Sequence, residues 1–304
     1  MRAALRGLGI AFVALATNGA VQAGKTATLP DPVPTSVAVG IERAFETHRV
    51  VALTDPRSPA LNRVVLSLLR DPTFRKRARV IVYDCCAPRY QPLVDRYVNG
   101  GDVSLADVSR AWAHAGPAIP RPNLFVRARE LNRRLAAGQR IRIVLAHPWA
   151  SGVFVCKRSR RCNVWGDRLD RVIADVVEKE VFRRNQNALL LAGFWKLDRR
   201  RRPANPKGFG FDSAARRIEA RHPGSLFLAW ALPPCPTAGS IADELIAGWR
   251  PPAIADIRGS SVGAAPETLL WSCAGGALNG LPLARPSVGR HVEDDVDAIL
   301  HVAP

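Results

Sequence analysis

The chain has 304 residues, 47% of them hydrophobic, and a formal charge of +18. That hydrophobic share is ordinary for a globular chain with a real core, and the length suits one large domain or two small ones. The charge could attract nucleic acid, anionic lipid or an acidic ligand. But only six of the cations are lysines, and the Arg, Ala and Pro richness reads as coding bias in a GC-rich genome rather than a selected polyanion site.

In chain order, Arg2 and Arg6 precede the apolar run Leu8–Ala16 and the small-residue pattern Val21-Gln22-Ala23. This is the layout of a secretory signal peptide, with cleavage expected after Ala23 and a periplasmic or secreted product. The rival is an uncleaved anchor, but the run falls short of the about 20 apolar residues that span a bilayer. Cleavage would leave 281 residues and a charge of +16, with no later run able to span a membrane. Residues 24–37 are rich in Pro and Thr and predict an extended lead-in. Strands and helices then alternate through one domain over 38–304.

Val50–Leu53 is a short apolar strand, followed by a helix over Pro59–Leu69 with Leu61, Val64, Val65, Leu68 and Leu69 at helical spacing. Arg79–Asp84 is a second strand, and Tyr90–Val98 a helix. Ser104 can cap a helix over Leu105–His114. Asn123–Ala136 is a helix closed by Gly138. Ile141–Ala146 is a third strand. Asp167–Arg184 is a long amphipathic helix with Leu169, Val172, Ile173, Val176, Val177 and Val181 as its stripe. Ala188–Ala192, Ser225–Leu232 and Ala298–Val302 are further strands, and 233–290 is an irregular Pro/Gly-rich excursion. Near-continuous apolar strands between helices predict an α/β fold, a single domain whose mostly parallel or mixed sheet is covered by helices on both faces.

The cysteines are Cys85, Cys86, Cys156, Cys162, Cys235 and Cys273, an even number that suits disulfides in an exported chain. Cys156 and Cys162 flank the basic loop KRSRR and are the favoured pair. Adjacent Cys85 and Cys86 point to opposite faces of a strand and do not favour each other. There is no CxxC pair or clustered His set, so no metal site is assigned.

In open α/β sheets ligands sit beyond the carboxyl ends of the strands. That rule collects Asp55 and Arg57 after the first strand, Asp84, Cys85, Cys86, Arg89 and Tyr90 after the second, His147 and Trp149 after the third, and Trp195 and Lys196 after the fourth. Each has a plainer reading as a turn, loop or packing residue. There is no GxSxG elbow, P-loop, GxGxxG or HExxH.

The order Thr54-Asp55-Pro56-Arg57, helix, RVIVYDCCAPRYQPLVDRYVNGGDV, the long helix ending at Arg184, ALLLAGFW and the closing DAILHVAP resembles the erythromycin esterase, ChaN and TIKI-like superfamily. The resemblance implies Gly-Glu-x-His after the first strand and Gly-Gly-x-His after the fourth. The carboxylate position holds Asp55, while the two histidine positions hold Arg57 and Trp195. An arginine stays protonated and cannot act as a base. The expectation is therefore a degenerate, non-catalytic member binding a small anionic ligand. Arg57, Arg89, Tyr90, Trp149 and Trp195 would hold it, with no nucleic-acid partner. The alternatives are a hydrolase of esters or amides with a rebuilt site, in which Asp55 or Asp84 positions water and His147 is the base, or a haem or divalent-metal protein, as the resemblance implies, with His147, Tyr90 and Cys85 as ligands.

Overall fold

A computed structural model describes residues 29–54, 59–109, 122–147, 170–193, 196–199, 201–202, 211–232, 246, 248–266 and 289–302. The elements are β1 (Thr35–Ser36), α1 (Val37–Thr47), β2 (Val50–Thr54), α2 (Pro59–Arg70), α3 (Pro72–Arg77), β3 (Val80–Tyr83), α4 (Gln91–Val98), α5 (Leu105–Ser109), α6 (Pro122–Asn132) and β4 (Arg142–Leu145). They continue with α7 (170–177), which runs into a π-helical turn at Glu178–Phe182, then β5 (Ala188–Ala192), β6 (Arg201–Arg202), β7 (Phe211–Asp212), α8 (Ala214–Arg221), β8 (Leu226–Leu232), β9 (Ala253–Asp256) and β10 (Ala298–His301).

Eight strands form one mixed sheet in the order β1-β9-β10-β8-β2-β5-β3-β4. The six from β10 to β4 are parallel, and β9 runs antiparallel to both β10 and β1. β6 and β7 make a separate antiparallel pair. The expected α/β fold is therefore the observed one.

Side-chain alternation along the strands sends successive residues to opposite faces. Val51, Leu53, Ile81, Tyr83, Ile143 and Leu145 enter a core roofed by α1, α2, α4 and α6. Val50, Ala52, Val80, Val82, Val144 and Leu190 enter a second core with Ile173, Val177 and Val181 of the α7 segment and Ile218 of α8. Both faces are buried, which is why the strands read as unbroken apolar runs.

Several elements depart from the expected ones. α1 follows directly on the lead-in, its amino end capped by the Ser36 hydroxyl, which accepts from the Val39 amide at 3.4 Å. Its valines and Gly40 hide it, since both weaken a helix signal. Gly40 is there because α1 packs against β9: a β-carbon at 40 would overlap Cγ2 of Ile254. α6 stops at Asn132 rather than Ala136. The Asn132 amide turns inward, accepts from Ile141 N at 2.7 Å and donates to the carbonyls of Ile141 and Val98 at 2.8 and 3.2 Å. Those bonds belong to a chain already turning toward β4. β9 lies within the segment expected to be irregular. Among the described residues no helix is long and apolar enough to cross a membrane.

The sheet order places the switch point. From β2 the chain moves outward to β3 and β4, returns to insert β5 beside β2, and then adds β8 on the other flank. The chain leaves β3 and β5 in opposite directions, and the carboxyl ends of strands at such a point are where ligands gather in open α/β sheets.

Candidate functional site

β3, β4 and β5 each hand one polar side chain to that rim. The Asp84 amide donates to the Leu191 carbonyl of β5 at 2.9 Å, which extends the strand pairing to the aspartate itself. The Ala146 amide donates to Tyr83 O and the His147 amide to Cys86 O, both at 3.0 Å, and so fix the histidine opposite. Lys196 follows β5 and is anchored by its own amide donating to Gly193 O at 2.9 Å.

The three side chains meet. His147 Nδ1 lies 2.6 Å from Asp84 Oδ1. Lys196 Nζ donates to Oδ1 and pairs with Oδ2, each at 2.7 Å, and lies 3.3 Å from His147 Nδ1. Side-chain exposure is 6% for Asp84, 5% for Lys196 and 12% for His147. Burial works to raise the pKa of Asp84. The Lys196 ammonium and His147, by charge and by hydrogen bonds, outweigh it and hold the carboxyl down at about 2. Asp84 is thus an anion and only accepts, so Nδ1 of His147 is the donor, and whenever the ring is neutral its lone pair resides on Nε2.

A side chain also closes the sheet edge beside this rim. β4 is the last strand, and an open edge exposes unpaired peptide groups. Gln91 Nε2 donates to Ile143 O while its Oε1 accepts from Leu145 N, both at 2.8 Å. Its amide behaves as one more residue of strand, and Asp95 Oδ1 accepts from the same nitrogen at 2.8 Å.

Of the expected site residues, Asp84 and His147 are brought together. Arg89 and Tyr90 sit on the 3₁₀ turn just beyond Cys86 and engage each other. Arg89 Nη2 donates to the Tyr90 hydroxyl at 3.0 Å, with the guanidinium 4.8 Å from the ring centroid. Asp55, Arg57, Trp149, Trp195 and the Cys156–Cys162 pair lie outside the described residues, as does the expected signal peptide. Lys196 falls on the same rim by the carboxyl-end rule, but nothing in the sequence gives it a role. Its signal was a lone lysine directly after a buried strand in an arginine-dominated chain.

Haem or a divalent metal fits poorly. The Lys196 ammonium occupies both oxygens of Asp84, where a cation would have to bind. Cys85 and Cys86 are buried free thiols. Burial, and then its contact with Cys86, push the Cys85 pKa up, away from the thiolate a metal needs. Among the described residues no three His, Cys, Asp or Glu side chains are placed to hold an ion.

The chain is similar in structure to an erythromycin esterase mutant in its open conformation, with a TM-score of 0.53 and 10% identity over 87% of this chain and 92% of that one. It is also similar to a protein from Bacillus cereus, with a TM-score of 0.51 and 8% identity over 90% of this chain and 94% of that one. No family model and no curated protein matches the sequence. At such identities the likeness shows an erythromycin esterase-like fold and nothing finer.

Proposed function

We propose that the chain is a hydrolase in which His147 is the general base and Asp84 its orienting partner. The observation that carries this is the 2.6 Å Asp84–His147 contact at the switch point of the sheet. A carboxylate on Nδ1 fixes the ring and its tautomer and stabilises the imidazolium that forms when Nε2 takes a proton. In this reading Nε2 removes a proton from water as the water attacks the acyl carbon. The tetrahedral intermediate then collapses, and the same proton passes from His147 to the departing oxygen or nitrogen. Lys196 is a positioning residue. It grips both oxygens of Asp84 and leaves the carboxylate one orientation toward His147. An ester is the bond we favour, by analogy of fold with the esterase, and that step is analogy alone.

This departs from the non-catalytic reading favoured by the missing histidines. That reading weighed positions 57 and 195, and the dyad is built from other residues. Export of the protein and closure of Cys156 with Cys162 remain part of the proposal. They rest on the layout of residues 1–23 and on the short basic loop between the two cysteines.

The test is hydrolysis of short-chain p-nitrophenyl esters by the purified chain and by His147→Ala. A loss of about 10²–10⁴-fold in kcat/KM is expected if His147 is the base. Equal turnover by the two proteins removes His147 from the mechanism. An intact chain that turns over no ester or amide returns the fold to ligand binding.

A further inference from the structure

The opposite end of the same strands carries a different chemistry. Just before β3, β4 and β5 begin, a groove of about 540 Å³ opens, lined by Lys76, Arg77, Arg79, Arg140, Arg142 and Arg184 together with the amides of Asn185, Gln186 and Asn187. No carboxylate stands among its described lining residues. A second depression of about 340 Å³ shares Lys76 and Arg79 and adds Arg75, so the cationic surface is continuous.

Some of this charge is already answered. Arg142 is paired with Glu180, and with Asp95 at 3.5 Å. Arg184 reaches Glu180 at 3.1 Å, and Arg77 meets Glu46 at 3.7 Å where both are well exposed. Lys76, Arg79 and Arg140 make no ion pair among the described residues; Arg140 Nε only donates to Leu135 O, at 3.4 Å. Three cations with no ion-pair partner among the described residues therefore line one concave space, beside amide donors and backed by arginines that Glu180 holds in place. Like charges converge this way at a cost that an anion relieves. Guanidinium forks grip phosphate oxygens in pairs, as they do carboxylates, and several cations in one groove suit an anion that carries several such groups.

We propose that this groove binds a compact polyanion carrying several phosphate groups, free in solution or displayed as a lipid headgroup. The site is independent of the Asp84–His147 dyad, since it lies at the other end of the strands. α3 and the turn after α6 supply its walls, and a volume of about 540 Å³ is that of a small-ligand site.

Calorimetric titration of the full chain with tripolyphosphate at low ionic strength tests this. Saturable one-to-one binding is expected. It should weaken about tenfold in Arg79→Gln and again in Arg140→Gln, each of which removes a charge-assisted contact. Lys76→Gln, on an exposed last turn, gives the same readout should either arginine variant fold poorly. Arg43→Gln removes equal charge from a separate depression lined by Asp256 and Arg258, and its affinity should stay within about twofold. Vesicles bearing phosphorylated-inositol headgroups separate the two sources. Uptake that tripolyphosphate reverses assigns a headgroup, and solution binding without uptake assigns a free ligand. An equal loss in Arg43→Gln, no saturable binding, or a DNA duplex that displaces tripolyphosphate would each overturn the proposal.

Discussion

Asp84 and Asp297 are both buried carboxylates held by cations, one at the carboxyl end of the sheet and one at the amino end. Asp297, fully buried just before β10, takes a two-pronged grip from Arg199 at 2.8 and 2.5 Å, a bond from the Leu228 amide at 2.7 Å, and a further contact from Arg258. All of those donors keep their protons at any ordinary pH, because guanidinium does not deprotonate in proteins. Asp84 is gripped by Lys196 and by an imidazole, a side chain that can both hold and release a proton. Burial and pairing are thus shared features. The identity of the partner separates a clasp that ties β8 to β10 from a group that can move a proton.

The largest expected effect tests the clasp. Asp297→Ala removes a fully buried carboxylate and leaves the partly buried Arg199 with only Glu219, at 3.8 Å, and breaking a buried pair costs about 3–5 kcal/mol. Urea unfolding followed by circular dichroism should show that loss. A change below about 1 kcal/mol, the ordinary size of a surface pair, would mean the clasp is ornamental.

The next effect belongs to the other end. Asp84→Asn keeps the shape but lets the amide present either end to Nδ1. If proton transfer runs through this pair, ester turnover should fall about 10²–10⁴-fold. The split between the two sites is sharp on this point, since Asp297→Asn should change kcat/KM of the folded fraction little. Parallel losses in both variants would erase the distinction.

The pH dependence of stability is smaller and signed. Asp84 is held at about 2 against an ordinary 3.8. Its folded pKa is depressed, so its contribution is fully present above 3.8 and is lost as pH falls through the folded value near 2. A shift of this size corresponds to about 2 kcal/mol. Urea midpoints taken from pH 5 downward should fall less steeply in Asp84→Asn than in the parent. Identical slopes would place the carboxylate in a less perturbed setting.

The smallest change is Arg258→Ala. Its side chain is 51% exposed, and Arg199 and the Leu228 amide still hold Asp297. About 0–1 kcal/mol is expected by the same urea measurement. A cost as large as that of Asp297→Ala would show that Arg258, not the less exposed Arg199, closes the clasp.

Much of the scaffold is legible in the amino-acid sequence. β2, β3, β4, β5, β8 and β10 announced themselves as apolar runs, because strands covered on both faces need no polar side. The carboxyl-end rule placed Asp84, His147 and Lys196 on one rim, since it follows from strand direction alone. α1 escaped notice because Gly40 and its valines answer to the surface of β9, a contact between residues more than 200 positions apart. β9 escaped for a similar reason. Four residues set between a Pro-Pro pair and a Gly/Ser-containing stretch carry little periodicity, and they are a strand because β10 and β1 pair with them.

Alternation, burial and chain direction are local or statistical properties of the sequence, and they determined the α/β class and the end of the sheet where chemistry can gather. Which residues act together was decided only by tertiary structure. Asp84 and His147 are 63 positions apart, and Lys196 is 112 from Asp84. Asp297 comes from a stretch, DDVDAILH, that reads as an ordinary polar start to a strand. Buried carboxylates are tolerable only where cations and amide donors converge on them. That convergence depends on strand order and register, which no single segment encodes.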